Sequence, residues 1–158
     1  MEKLTAEQRE AIILKLKDAF NTDQVEFNGH NRFVVRERFQ VELANGHTTW
    51  LYKDKLFDEE GHPIPLANEY NSIFKYTAGV AVVCTRENVQ IIGDRSTQDR
   101  KDGLIDINGK ELLPCIYDSI HPHLDGFVEI TKDGQKKATS VVEITSGEFN
   151  WDEALPWK

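Results

Sequence analysis

Residues 103–114 read GLIDINGKELLP, and residues 117–120 read YDSI. Earlier in the chain, residues 56–61 read LFDEEG and residues 70–73 read YNSI. The tetrapeptides YNSI and YDSI lie 47 residues apart. The hexapeptide LFDEEG (56–61) and its counterpart LIDING (104–109) lie 48 residues apart, so the match extends over many spaced positions. The stretches Leu56–Val83 and Leu104–Ile130 are therefore copies of one β-rich repeat, and this repeat determines the architecture.

Each copy carries the signals of a β-hairpin. Aspartate bonds readily to the nearby backbone and glycine adopts positive φ without strain, so Asp followed three residues later by Gly predicts a tight turn. One copy is too small to bury its own apolar face, so we expect the two copies to stack, with the N-terminal segment as a cap. The turn residues are Asp58 with Gly61 and Asp106 with Gly109.

The N-terminal segment predicts a helix followed by a meander. Thr5-Ala6-Glu7-Gln8 has the form of a capping box, and the apolar residues that follow have helical spacing as far as Phe20, which predicts a helix over about 6–20. From residue 24 the apolar period changes to two, and Asn-Gly pairs at 28–29 and 45–46 predict hairpin turns. We expect three antiparallel strands at about 24–28, 32–43 and 47–53.

These elements define the expected fold class. It is α+β and mostly antiparallel β: one N-terminal helix, a β-meander and two β-hairpin repeats that form a bent sheet or partial barrel. Residues 1–53 hold the helix and meander as a cap of the same compact unit, residues 54–147 hold the repeats, and residues 148–158 form a Trp-containing tail. The polar stretch Glu87–Gly103 is expected to contain a strand at Val89–Ile92 and then an exposed loop.

The second copy closely resembles the bacterial WG-repeat family, whose members read roughly Gly-x-Ile-Asp-x-x-Gly-Lys-x-x-Ile-Pro-x-x-Tyr-Asp-x-Ile. The resemblance is specific over about 103–134 and weaker over 55–83, where Lys55 replaces the leading Gly and His62 stands in the position of the Lys. The resemblance implies a β-hairpin array that mediates interactions. It carries over no catalytic residue, and it implies structural roles for the matching Asp, Gly and Tyr positions.

Composition and charge restrict the possible partners. The net charge of −8 excludes nucleic acid as a partner, because tight binding to phosphates needs clustered cations. No secretory signal pattern and no apolar run long enough to span a bilayer are visible, which excludes a membrane partner and predicts a cytoplasmic location. Cys84 and Cys115 are expected to be reduced and buried, in preference to a disulfide.

The sequence predicts no catalytic residue, no cofactor and no metal site. His121-Pro122-His123 is interpreted as a solvated loop, because zinc sites normally add further ligands at motif spacing. Arg36 and Arg38 lie on the same side of a strand and form either a phosphate clamp or a solvated face. Trp151 and Trp157 are expected to dock across the sheet as a lid, or to offer anchors to a partner.

The function predicted from these features is a non-enzymatic interaction module that binds a protein or peptide partner through the repeat sheet and loops. The alternative is a small-ligand or nucleotide-binding protein, with a pocket between sheet and helix lined by Arg36, Arg38 and aromatic residues. An enzyme would need a convergent acid–base or metal cluster, and none is visible in the sequence. The sequence leaves the oligomeric state open.

Overall fold

The computed structural model describes residues 2–43, 45–92 and 95–156, and it describes side chains throughout these ranges except at 88–98 and 155. The helices are α1 (Ala6–Phe20) and α2 (Val141–Thr145), and a 3₁₀ turn covers Trp151–Glu153. The strands are β1 (Val25–Phe27), β2 (Phe33–Glu42), β3 (Thr48–Phe57), β4 (Pro63–Ile64), β5 (Ser72–Ile73), β6 (Val80–Ile92), β7 (Arg95–Asp106), β8 (Glu111–Tyr117), β9 (Ser119–Pro122), β10 (Phe127–Lys132), β11 (Gln135–Ser140) and β12 (Leu155–Pro156). Within these described ranges no helix is long and apolar enough to cross a membrane.

The predicted N-terminal helix is confirmed as α1, and its start is the predicted capping box. The Thr5 hydroxyl accepts from the N–H of Gln8 (3.1 Å), and the Gln8 side chain accepts from the N–H of Thr5 (2.9 Å). The helix ends at Asn21, which takes the left-handed conformation (φ 49°). Its apolar face packs on the first strands through Leu16, Val25, Phe33, Val35 and Phe57.

The strands in the described ranges form three four-stranded antiparallel sheets. Sheet 1 has the order β1-β2-β3-β4, sheet 2 has β5-β6-β7-β8, and sheet 3 has β9-β10-β11-β12. The predicted meander is confirmed as the first three strands of sheet 1. Strand β3 runs on to Phe57 and is joined by β4, so the N-terminal segment and the first repeat share one sheet.

The three sheets stack, and sheet 2 is buried on both faces. Along β6, Ala81 and Val83 pack with Val34 and Leu56 of sheet 1. Successive strand residues point to opposite faces, so Val80 and Val82 of the same strand pack with sheet 3. This second core contains Val80, Val82, Leu104, Ile120, Val128, Ile130 and, from α2, Ile144. Each fully buried aliphatic side chain stabilises the stack by about 1.5–3 kcal/mol.

The predicted fold class is confirmed: an α+β chain, mostly antiparallel β, with one N-terminal helix and strands that curl into a half-barrel. The repeat turns have the predicted geometry. The Asp58 carboxylate accepts from the N–H groups of Glu60 and His62 (both 2.9 Å). In the second turn the Asp106 carboxylate accepts from the N–H groups of Asn108 (2.8 Å) and Lys110 (2.9 Å). Gly61 and Gly109 both have φ of +79°.

The prediction of an exposed loop between Ile92 and Gly103 is wrong. Strand β6 includes the predicted strand Val89–Ile92, but the chain then returns at once as β7, which pairs with β6 from Arg95 to Asp106. The strand was missed because its sequence is almost entirely polar. Beyond Cys84 and Asp102, within the described residues, β6 and β7 pair only with each other. A two-stranded ribbon with no further strand beside it has little core to pack against, so its strands need no apolar face.

Cys84 and Cys115 are free thiols, as predicted. Cys84 is buried and Cys115 is half-buried. Burial raises the pKa of the Cys115 thiol to about 12, and the nearby Glu111 carboxylate acts in the same direction. Cys115 is therefore a neutral thiol at physiological pH, which makes it a poor nucleophile.

Candidate functional site

Strands β2 and β3 extend beyond the rest of sheet 1 and form a two-stranded ribbon, which we call the hairpin arm (residues 36–53). Strand β1 stops opposite Val35, and β4 pairs only with Leu56 and Phe57. Arg36 and Asp54 still bond to Gln24 and Tyr70 through their main chains. Beyond them, within the described residues, β2 and β3 pair only with each other, from Glu37 with Lys53 to Glu42 with Thr48. The arm therefore presents two side-chain faces away from the packed sheets.

One face of the hairpin arm carries alternating arginine and aromatic side chains. The Arg36 guanidinium carbon lies 5.0 Å from the centre of the Tyr52 ring, and that of Arg38 lies 4.3 Å from the centre of the Trp50 ring. Both are cation–π distances, and each pair joins diagonal neighbours across the two strands. Trp50 and Tyr52 remain 48% and 42% exposed. The face is thus organised and accessible.

The two arginines have different surroundings. Arg36 forms a two-point ion pair with the buried Asp54 (2.9 and 3.1 Å), and this hydrogen bond raises the pKa of the guanidinium. Within the described part of the chain, Arg38 has no carboxylate at ion-pair distance. Arg36 is therefore committed to the fold, whereas the positive charge of Arg38 remains available on the stacked surface.

Asp54 also joins two sheets. Its carboxylate accepts from the backbone N–H of Ile73 in sheet 2 (2.8 Å). One repeat later, Asp102 binds Arg100 (2.9 Å) and accepts from the N–H of Ile120 in sheet 3 (3.3 Å). The sequence analysis did not identify Asp54 and Asp102 as equivalent residues of the two repeats. The signal was present, because Asp102 follows Asp54 by the same 48 residues as the rest of the repeat.

A groove of about 1180 Å³ lies between the last turns of α1 and the hairpin arm. Its walls include Arg36, Arg38, Trp50 and Tyr52, which is the lining expected for a pocket between sheet and helix. Charges of both signs border it, and the remaining charged lining residues are Lys17, Asp18, Asp23 and Glu37. The groove is open to solvent.

The C-terminal tail packs on the sheet stack. The Trp151 ring lies 5.8 Å from the ring of Tyr117, and the Lys137 ammonium sits 4.6 Å above the indole while donating to the Trp151 carbonyl (2.6 Å). Strand β12 then pairs with β11. Trp151 therefore has the position expected of a lid. Trp157, the other predicted tail residue, lies outside the described residues.

The solvated loop predicted for His121-Pro122-His123 is wrong for its first two residues, because they belong to β9 and pair with Glu129 and Val128 of β10. Only His123 lies in the exposed turn between the two strands. The ring of His123 packs near Phe127 (5.7 Å between centroids), and its Nε2 lies 3.3 Å from a Glu129 oxygen. Over the residues that the structure describes, no group of three or more His, Cys, Asp or Glu side chains has the spacing of a metal site.

A helix-capped stack of antiparallel hairpins, with the same Asp-Gly turn and the same inter-sheet Asp in successive copies, defines a β-repeat protein. Residues 103–135 match the family model for the WG containing repeat, and the predicted resemblance is confirmed over this stretch of the chain. Neither the curated proteins nor the solved structures include a match to the chain.

Proposed function

We propose that this chain is a non-enzymatic interaction module of the bacterial cytoplasm that binds a protein or peptide partner through the hairpin arm. The WG repeat is compatible with such a role, since it supplies a β-repeat scaffold. Two unpaired cysteines fit a reducing compartment. The three sheets form a packed base, and the hairpin arm continues β2 and β3 beyond it.

The observation that carries the proposal is the stacked face of Arg38, Trp50 and Tyr52. Trp, Tyr and Arg are the residue types that dominate binding energy at protein interfaces. Here they are half-exposed yet already held in place by ring–guanidinium stacking. Side chains that are ordered before binding lose less conformational entropy when a partner covers them, so this face is suited to recognition.

The shape and charge of the groove favour a polypeptide over a phosphorylated small molecule. A phosphate clamp would use Arg36 and Arg38 together, but Arg36 is neutralised by Asp54. The groove is open and bordered by charges of both signs, which suits an extended chain with mixed side chains.

The test is affinity capture from a bacterial lysate with the immobilised chain, followed by quantitative mass spectrometry. The variant Trp50→Ala with Tyr52→Ala removes the stacked face. Phe74→Ala is the matched control, because Phe74 is a half-exposed aromatic residue stacked under Arg100 (5.0 Å) outside the arm. A protein retained by the wild type and by the control but lost from the double variant supports the proposal. Equal capture by all three, or capture by none, contradicts it.

A second candidate function is small-ligand binding in the groove, which its volume and the free charge of Arg38 favour. Thermal unfolding against a panel of nucleotides and metabolites tests it, because any ligand of the native state raises the midpoint. A concentration-dependent rise that Arg38→Ala abolishes would favour this candidate. A flat panel would reject it for the compounds used.

A further inference from the structure

The outer edge of β2 in the hairpin arm has no strand partner within the described residues. The N–H of Arg36 donates to the carbonyl of Gln24 (2.9 Å), so the main-chain groups of Arg36 point away from β3. Successive residues of a strand point their main-chain N–H and C=O groups to opposite edges. The main-chain groups of Arg38, Gln40 and Glu42 therefore point to the same outer edge as those of Arg36. They form an open row of donors and acceptors, which is a template for strand pairing.

We infer that this edge pairs with the same edge of a second copy of the chain, as an antiparallel two-fold dimer centred on Gln40. The inference goes beyond the proposed function and does not depend on it. Gln24 already occupies the edge beside Arg36, so an incoming strand has room only beyond that residue. A register centred on Gln40 uses residues 38–42 of both copies and avoids the occupied part.

The edge is complementary to itself in this register. Arg38 of each copy faces Glu42 of the other, so two pairs of opposite charges form on one face of the joined sheet. Phe39, which is 40% exposed, faces Val41 on the other face, and the two Gln40 side chains meet at the centre. A shift of the centre to Arg38 would bring the two Arg38 side chains together and overlap the segment held by Gln24.

Pairing also resolves a stability problem of the arm. A two-stranded ribbon is marginally stable in water, whereas two arms joined through β2 give a four-stranded sheet of order β3-β2-β2-β3. Charges on an exposed edge usually prevent pairing between copies. Here Arg38 and Glu42 have opposite signs at the spacing that makes a second copy attractive.

The experiment is analytical ultracentrifugation of the full chain over a concentration series. The wild type is expected to show a monomer–dimer equilibrium. Arg38→Glu or Glu42→Arg each creates two pairs of like charges and is expected to weaken association roughly tenfold or more. An equimolar mixture of the two variants restores opposite charges at both positions of the mixed dimer. The mixture is therefore expected to recover the association of the wild type.

Two further variants separate edge pairing from other effects. Gln40→Pro removes a main-chain donor from the outer edge without removing one from the β3 ladder, and it is expected to be monomeric. Lys136→Glu is the charge control, because Lys136 is exposed in sheet 3 and its reversal alters the net charge as much as Arg38→Glu does. It is expected to dimerise like the wild type. Circular dichroism of each variant checks that the fold is retained.

The outcomes that overturn the inference are a wild type that stays monomeric at every concentration, charge variants that dimerise as tightly as the wild type, or a mixture that fails to recover. The variant Trp50→Ala with Tyr52→Ala is expected to keep the dimer, because these side chains lie on β3 and not on the paired edge. Loss of partner capture and loss of the dimer are therefore distinguishable.

Discussion

The carboxylate of Asp54 accepts a hydrogen bond from the backbone N–H of Ile73 across the boundary between sheets 1 and 2 (2.8 Å). The same carboxylate binds the Arg36 guanidinium from the neighbouring strand. Asp102 repeats this arrangement with Ile120 at the boundary between sheets 2 and 3. The repeat thus carries its own polar connection to the next layer, in addition to the apolar core.

We predict that Asp54→Asn lowers the free energy of unfolding by about 2–3 kcal/mol, because charge-assisted hydrogen bonds of a buried group are lost. The Arg36 side chain is 36% exposed, so water can solvate the unpaired guanidinium, and the cost stays below that of a fully buried pair. Urea unfolding at neutral pH measures the change.

The control for Asp54 is Glu148→Gln, an exposed acidic residue whose neutralisation is expected to change stability by less than about 0.5 kcal/mol. The double variant of Asp54→Asn with Arg36→Met is expected to cost less than the sum of the single variants, since both remove one interaction. Full additivity would contradict the assigned contact.

We predict that Gly103→Ala destabilises the chain by about 1–3 kcal/mol through overpacking. A Cβ at Gly103 would lie 2.7 Å from the Leu113 carbonyl oxygen and 2.9 Å from the Cys115 sulfur. Lys55 occupies the same position of the first copy and provides the control. Lys55→Ala removes a partly exposed ion pair with Glu37 and the contact of the ammonium with the Phe20 ring (5.5 Å), and it is expected to cost no more than about 1 kcal/mol. Equal losses at the two positions would refute the crowding argument.

Gly103 and Lys55 also illustrate what the sequence could predict. The repeat pattern predicted the turns, the stacking and the WG-repeat match of residues 103–135, because each follows from the spacing of the repeated residues. It gave no reason for the replacement of Gly by Lys. The reason is tertiary: β8 is long and crosses close over Gly103, whereas β4 pairs only with Leu56 and Phe57 beside Lys55.

The candidate site was predicted only in part. Arg36 and Arg38 were identified from alternation along β2, but their stacking partners lie on β3 and depend on the register between the strands. The Asn-Gly turn at 45–46 fixes that register and sets Arg38 opposite Tyr52. Sequence alternation also could not show that a buried Asp54 neutralises Arg36, since this requires knowing which face of β3 is covered by sheet 2.

We predict that deletion of residues 148–158 lowers the melting temperature by roughly 4–8 °C, which corresponds to about 2 kcal/mol for a chain of this size. The deletion removes the packing of Trp151 on Tyr117 and the pairing of β12 with β11. Leu124→Ala is the control, because Leu124 is 91% exposed and its truncation removes no packing. An unchanged melting temperature in the deletion would show that the tail is no lid.

The last prediction concerns alkaline pH. Burial raises the pKa of Cys115 to about 12 from an ordinary value of 9.0, so the unfolded chain releases this proton at lower pH than the folded chain. The contribution to stability is fully present below pH 9 and is lost as the pH rises towards 12. The free energy of unfolding should therefore fall as the pH increases through this window.

Above about pH 10 the buried hydroxyls of Tyr70 and Tyr76, whose pKa values are also raised, act in the same direction. The interval between about pH 9 and pH 10 isolates the thiol. Urea unfolding under reducing conditions at both ends of this interval is expected to show a decrease for the wild type and a smaller one for Cys115→Ala. The variant removes the titrating group, so equal decreases would mean that Cys115 is not the source of the pH dependence.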